Sequence, residues 1–212
     1  MFPVYLLPGS RFYDRRDELG LTYLPDPPFS IVETEKFPRA DIEKALWIAQ
    51  WSNVLTQYFQ TLARFFFDIA RVDGQRIERL ERWARAVEEE TPLLDEMGRV
   101  FDAFHSSVPA RHSSRRIMLE RASSMRFQRA LYSAALELEP DYRDRESARQ
   151  VRTGRRIFEY LAGKDPEKIG FDPTITVPAE LRDGLSDDEY RKLFCPFEKR
   201  QPKQGAGGRQ TA

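Results

Sequence analysis

From residue 41 onward the apolar residues recur at helical spacing, and this periodicity constrains the fold more than any other feature of the chain. Ile42, Leu46, Ala49 and Asn53 fall on one face of a helix whose start signal is Pro38-Arg39-Ala40-Asp41. A second stretch over about 57–70 holds Phe59, Leu62, Phe65, Phe66, Phe67 and Ile69, and Val72-Asp73-Gly74 breaks it. Residues 76–90 are amphipathic, with Ile77, Leu80, Trp83, Ala84 and Val87 in one stripe. Thr91-Pro92 reads as a helix start, Thr91 the N-cap and Pro92 the first helical position, ahead of the stripe Leu93, Leu94, Met97, Val100, Phe101 and Phe104. After a polar loop over 105–114, one helix is expected over about 115–138 and another over about 143–161, stopping at Gly163. The spacing predicts a mainly α protein, a bundle of five or six helices. With 212 residues, 15 Phe, 8 Tyr and 3 Trp, the chain is long and aromatic enough to bury a core. Three successive residues cannot share one helix face, so Phe66 and Phe67 are expected in the core and Phe65 on a neighbour.

The first 38 residues follow a different pattern. Residues 2–7 are an apolar run closed by Pro8-Gly9-Ser10, which predicts a β-strand ending in a turn. No strong partner strand follows, since Thr174 to Val177 is short and fenced by Pro173 and Pro178, and a strand needs its edges paired. A short helix over 11–19 stops at Gly20. Residues 21–37 read as an extended segment running over a surface, punctuated by Pro25, Pro27 and Pro28. The expected organisation is therefore 1–38, strand and extended linker; 39–200, helical domain; and 201–212, a disordered tail with Gly205, Gly207 and Gly208.

Composition removes several classes of function. Lys+Arg and Asp+Glu are both 34, so the chain is not generally basic and nucleic acid is not the expected partner. One cysteine, Cys195, excludes an internal disulfide framework, a multi-Cys zinc site and a self-contained iron–sulfur cluster on thiolates. Cys195 has no neighbour that would lower its pKa, so it reads as a packed thiol. His105 and His112 sit seven apart around Pro109 without a third ligand, and read as solvated or capping residues. No apolar run approaches a membrane span and the N-terminus lacks a basic leader, so no membrane partner and a cytoplasmic location are expected. Charge is unevenly placed: residues 86–102 are acidic and residues 105–129 are basic. Either two helices pair through these faces, or Arg115, Arg116 and Arg121 offer an arginine face to a partner protein, RNA or a phosphorylated ligand.

An ordered series in the opening segment carries a resemblance. Val4-Tyr5-Leu6-Leu7-Pro8-Gly9-Ser10 is followed by Leu19-Gly20-Leu21-Thr22-Tyr23, by Pro27-Pro28-Phe29-Ser30-Ile31-Val32-Glu33-Thr34, and by residues 37–41. Over about residues 3–60 this resembles the last part of radical S-adenosylmethionine proteins that carry an N-terminal cobalamin-binding domain. The resemblance implies that residues 2–7 are the last strand of a partial barrel whose neighbours lie in an upstream portion. It also implies that Leu7, Pro8 and Gly9 approach the adenine of S-adenosylmethionine. The implied full-length enzyme would use S-adenosylmethionine, a [4Fe–4S] cluster and cobalamin for radical or methyl-transfer chemistry. This chain lacks the Cys-x-x-x-Cys-x-x-Cys motif of that family, so it is expected to hold no cofactor alone, to be inactive alone, and to need the upstream portion as its partner. The competing expectations are a relative that has lost the chemistry and an unrelated helical interaction module.

Overall fold

A computed structural model describes residues 6–24, 29–93, 116–171, 176–182 and 184–195. In chain order these form α1 (Arg11–Asp14), β1 (Thr22–Tyr23), β2 (Ile31–Glu33), α2 (Arg39–Tyr58), α3 (Gln60–Asp73) and α4 (Arg76–Glu90). Then come α5 (116–122), α6 (Met125–Glu137), a 3₁₀ turn (Pro140–Tyr142), α7 (Glu146–Lys164), α8 (Ala179–Arg182) and α9 (Asp187–Lys192). The described chain is thus mainly helical, with one small two-stranded sheet.

The long helices α2, α3, α4, α6 and α7 close around one core. On α2 the residues in that core are Trp47, Trp51, Val54 and Leu55, while of the expected face Leu46 packs in a separate cluster and Asn53 is exposed. On α4, Ile77 is left exposed. Trp51, Phe59, Phe65, Trp83, Phe127 and Phe158 are fully buried in the core. Trp51 stacks on Phe127 with ring centroids 5.8 Å apart, and Phe66 meets Trp83 edge-on at 5.4 Å. The indole N–H groups of Trp47 and Trp51, one turn apart on α2, both donate to Glu88 Oε1 at 2.9 and 2.7 Å, so these polar tips are satisfied where the rings enter the core. The most extensive pairing is α6 with α7. Gly154 makes it possible: a Cβ there would lie 2.3 Å from Cε1 of Tyr132. Tyr132 donates its hydroxyl to the Leu193 carbonyl at 3.0 Å, which fastens the segment after α9 to α6.

Several elements differ from the sequence expectation. The helix expected over 115–138 is two helices, broken at Ser123 and Ser124. Ser124 caps α6 by accepting from the Phe127 N–H at 3.2 Å, while the Gly170 N–H donates to the Ser123 carbonyl at 2.9 Å and the Met125 N–H to Lys168 at 3.0 Å. The loop at 166–170 therefore takes up backbone groups that a continuous helix would have used. Thr91 ends α4 and does not start a helix: its N–H and hydroxyl both donate to the Val87 carbonyl, at 2.7 and 3.2 Å. Residues 94–115, with the stripe expected there and both histidines, lie outside the described residues. Phe65 and Phe66 are the buried pair and Phe67 is exposed, the reverse of the assignment of Phe65 and Phe67 from spacing.

The stretch over 21–37 is more ordered than its prolines imply. β1 and β2 pair antiparallel, Thr22 with Glu33 and Tyr23 with Ile31, and the Leu24 N–H donates to the Ser30 carbonyl at 2.9 Å. This hairpin rests on the first half of α2 through a small separate cluster of Val32 and Leu46, flanked by Leu24 and Ile42. Of the strand expected over 2–7 only Leu6 and Leu7 are described, and neither is in a strand. Leu6 is fully buried, with its N–H donating to the Phe29 carbonyl at 2.9 Å. The helix expected over 11–19 is the single turn of α1, capped by Ser10, whose hydroxyl accepts from the Tyr13 N–H at 3.2 Å. The tail over 201–212 lies outside the described residues.

Candidate functional site

Leu7, Pro8 and Gly9 lie in a tight turn closed by the Ser10 N–H donating to the Leu7 carbonyl at 2.9 Å. Proline in the second position and a left-handed glycine in the third, φ +82° at Gly9, are the residues such a turn selects. All three are exposed, and a Cβ at Gly9 would meet no atom within 4 Å, so the turn is open on its outer side. Large apolar side chains share this exposure: Leu7 is 64% exposed, Phe12 65% and Phe37 61%. The backbone is strained at Phe29, whose φ of +54° is a left-handed conformation costing a bulky residue roughly 1–2 kcal/mol. Its carbonyl holds Leu6, and its ring meets Tyr13 edge-on at 6.3 Å. Ser30, next in the chain, is fully buried, and its hydroxyl has no hydrogen-bond partner among the described residues.

The basic stretch is met by the acidic end of α4. Arg126 donates to the Glu90 carbonyl at 3.1 Å, and Arg129 closes on the Glu90 carboxylate. Of the three arginines singled out from sequence, Arg115 lies outside the described residues and Arg116 is exposed in α5. Arg121 lines a cleft of about 240 Å³ together with two carboxylates, Glu120 and Glu167, and with Phe127. Among the described residues, the contact between the acidic and basic stretches is the one at Glu90.

Cys195 is buried, and burial pushes its thiol up to about 11 despite the Ser123 hydroxyl donating to Sγ at 3.3 Å. The thiol is therefore neutral at pH 7. Gln128, fully buried, donates to the Ser123 carbonyl at 2.9 Å and accepts from the Cys195 N–H at 2.8 Å, so this group holds the C-terminal segment in place. One protonated thiol does not fit a cluster that needs three thiolates, and among the described residues no three His, Cys, Asp or Glu side chains are placed to hold a metal ion.

Two constellations are absent from the sequence expectations. The first is an ionic clamp at Arg79, a guanidinium buried on α4. Its Nε donates to Glu139 Oε1 at 2.9 Å, and its Nη1 to Asp73 Oδ1 at 3.0 Å. Glu139 Oε1 also accepts from Trp83 at 3.1 Å and from Arg82 at 3.1 Å. Arg79, and then the Gln75 N–H, hold the Asp73 carboxyl well below the usual carboxylate range. Every charged group in the clamp is answered, so its role is to tie the α3–α4 turn to the end of α6. The second is a groove of about 620 Å³ between α3 and the start of α7, lined by Arg64, Phe67, Asp68, Arg71 and Arg145. The spacing of Arg64, Phe67, Asp68 and Arg71, at i, i+3, i+4 and i+7, was the available signal for it.

No family model matches the chain, and no curated protein or solved structure matches it. Among the described residues no helix is long and apolar enough to cross a membrane.

Proposed function

We propose that this chain is the C-terminal portion of a cobalamin-dependent radical S-adenosylmethionine enzyme. It caps the barrel of a partner portion that holds the cluster and the cobalamin. The reading rests on the residue series around Leu7-Pro8-Gly9-Ser10 and on one structural observation that supports it. The segment carrying that series holds, among the described residues, a sheet of only two strands, together with an outward turn and exposed Leu7, Phe12 and Phe37. Two strands alone make a marginal sheet, and large exposed apolar side chains in the same segment are features of an interface. In the whole enzyme, reductive cleavage of S-adenosylmethionine belongs to the cluster-bearing portion. The turn at Leu7, Pro8 and Gly9 would approach the adenine, and the helices from α2 onward would shape the substrate side.

The test begins with the DNA preceding the Met1 codon, read in the same frame. The expected result is an open frame containing Cys-x-x-x-Cys-x-x-Cys. Its full product, reconstituted with iron and sulfide without oxygen, should turn brown and release methionine from S-adenosylmethionine when reduced, while this chain alone should do neither. A stop codon close upstream, with no such motif in a neighbouring gene, would overturn the proposal.

A further inference from the structure

The groove between α3 and the start of α7 holds positive charge that the fold itself does not use. Arg64 and Arg71 are seven residues apart on α3, so they stand two turns or about 10 Å apart along its axis, on the same face. Neither makes a hydrogen bond or ion pair among the described residues. Their acidic neighbours are already committed. Asp68 accepts from the Ser147 hydroxyl and pairs with Arg145 Nη1 at 3.3 Å, and Ser147, ahead of Arg145, lowers its pKa. Glu146 pairs with Arg149 Nε at 3.0 Å. Arg71 also feels the Asp68 carboxylate at longer range, but neither guanidinium has a hydrogen-bonded acidic partner among the described residues, and the groove carries three arginines against two carboxylates. Two further features favour an anion there. Residues 145–147, the first turn of the 19-residue α7 with its residue before, line the groove, and no side chain caps that turn. Phe67, between the two arginines and 39% exposed, adds a flat apolar wall.

We propose that this groove binds a small polyphosphate anion carrying a planar ring, of the nucleoside diphosphate class. Arg64 and Arg71 grip the phosphates and Phe67 packs against the ring. Guanidinium groups bind phosphate oxygens in pairs, and two of them separated by two helical turns suit an elongated polyanion better than a single carboxylate. A cavity of about 620 Å³ has the size of a small-molecule site, whereas a nucleic acid would call for a basic surface beyond it. The inference does not rest on the radical-enzyme reading, since the residue series behind that reading lies within about residues 3–60 and the groove is lined by residues 64–71 and 145–147.

The experiment is calorimetric titration of the full chain with pyrophosphate and, separately, with ADP, at low and at physiological salt. Saturable one-to-one binding of pyrophosphate is expected, with tighter binding of ADP. Arg64→Ala and Arg71→Ala should each weaken both ligands about tenfold. Phe67→Ala should remove only the advantage of ADP, and Arg15→Ala, an exposed arginine on another element, should change nothing. Because Arg64, Phe67 and Arg71 are exposed, unchanged thermal melts are expected for the variants. Absence of saturable binding to the wild-type chain would overturn the site, as would equal weakening by Arg15→Ala. ADP binding no tighter than pyrophosphate would overturn the role of Phe67.

Discussion

Asp73 is the last residue of α3, and its carboxylate is the outer half of the clamp on Arg79. Its native pKa lies below the ordinary carboxylate value, so the interaction stabilises the fold above about pH 4 and is lost as the pH falls through the folded-state value. Asp73→Asn is therefore expected to lower the melting midpoint at pH 7 and to flatten its decline between pH 4 and pH 2.5. Asp68, Glu81 and Glu189 also have lowered values, so acid weakens both proteins, and the difference between the two profiles isolates Asp73. Parallel profiles would mean that the clamp carries no pH-dependent stability. Nothing in the sequence marks this residue, because its partner Arg79 is six positions away across a glycine break and their common neighbour Glu139 is sixty residues beyond. The aromatic run at Phe65 has the same limitation. Spacing establishes that three neighbours cannot share a face, but only the placement of α4 decides that Phe65 and Phe66 meet Trp83 and that Phe67 stays outside. Cys195 was legible as an unreactive thiol, since the lack of a basic neighbour is local information.

Elements whose limits are set locally match the sequence, and those set by distant contacts do not. α4 runs over Arg76–Glu90 as its stripe requires, and α3 ends at Gly74 in the left-handed conformation that glycine favours. The break at Ser124 is invisible in sequence because the loop at 166–170 imposes it, and the hairpin at β1 and β2 is hidden by the prolines between its strands. Gly154 shows the same effect in reverse. Glycine inside a helix costs about 1 kcal/mol relative to alanine, so by propensity alone Gly154→Ala would stabilise α7. Tyr132 decides otherwise, because the added methyl would stand 2.3 Å from its ring in the fully buried α6–α7 contact. Gly154→Ala is expected to destabilise the protein by about 1–3 kcal/mol in urea unfolding. Gly163→Ala, on the same helix with no atom within 4 Å, is the control and should stabilise by up to about 1 kcal/mol. Stabilisation by both would show that Tyr132 yields its place freely.

At the scale of the molecule two separate clusters hold the described residues together. The main core joins the long helices with residues from Trp47 to Cys195, while the hairpin has its own small contact of Val32 on Leu46. The groove between α3 and α7 was not legible as a site, since its two walls come from residues 64–71 and 145–147 and only the folded bundle brings them together. The division itself is testable. A chain beginning at Arg39 loses the hairpin and uncovers Leu46, whose burial is worth roughly 1.5–3 kcal/mol. For a protein of this size each kcal/mol moves the midpoint by about 2–4 °C, so a fall of roughly 5–10 °C is expected. The transition should stay cooperative, with the helical circular dichroism retained. Such a result makes the first 38 residues an attachment to a self-sufficient bundle. Loss of the cooperative transition would mean that Leu6 and the hairpin complete the core, and their exposed apolar neighbours would then need a different explanation from a barrel contributed by a partner.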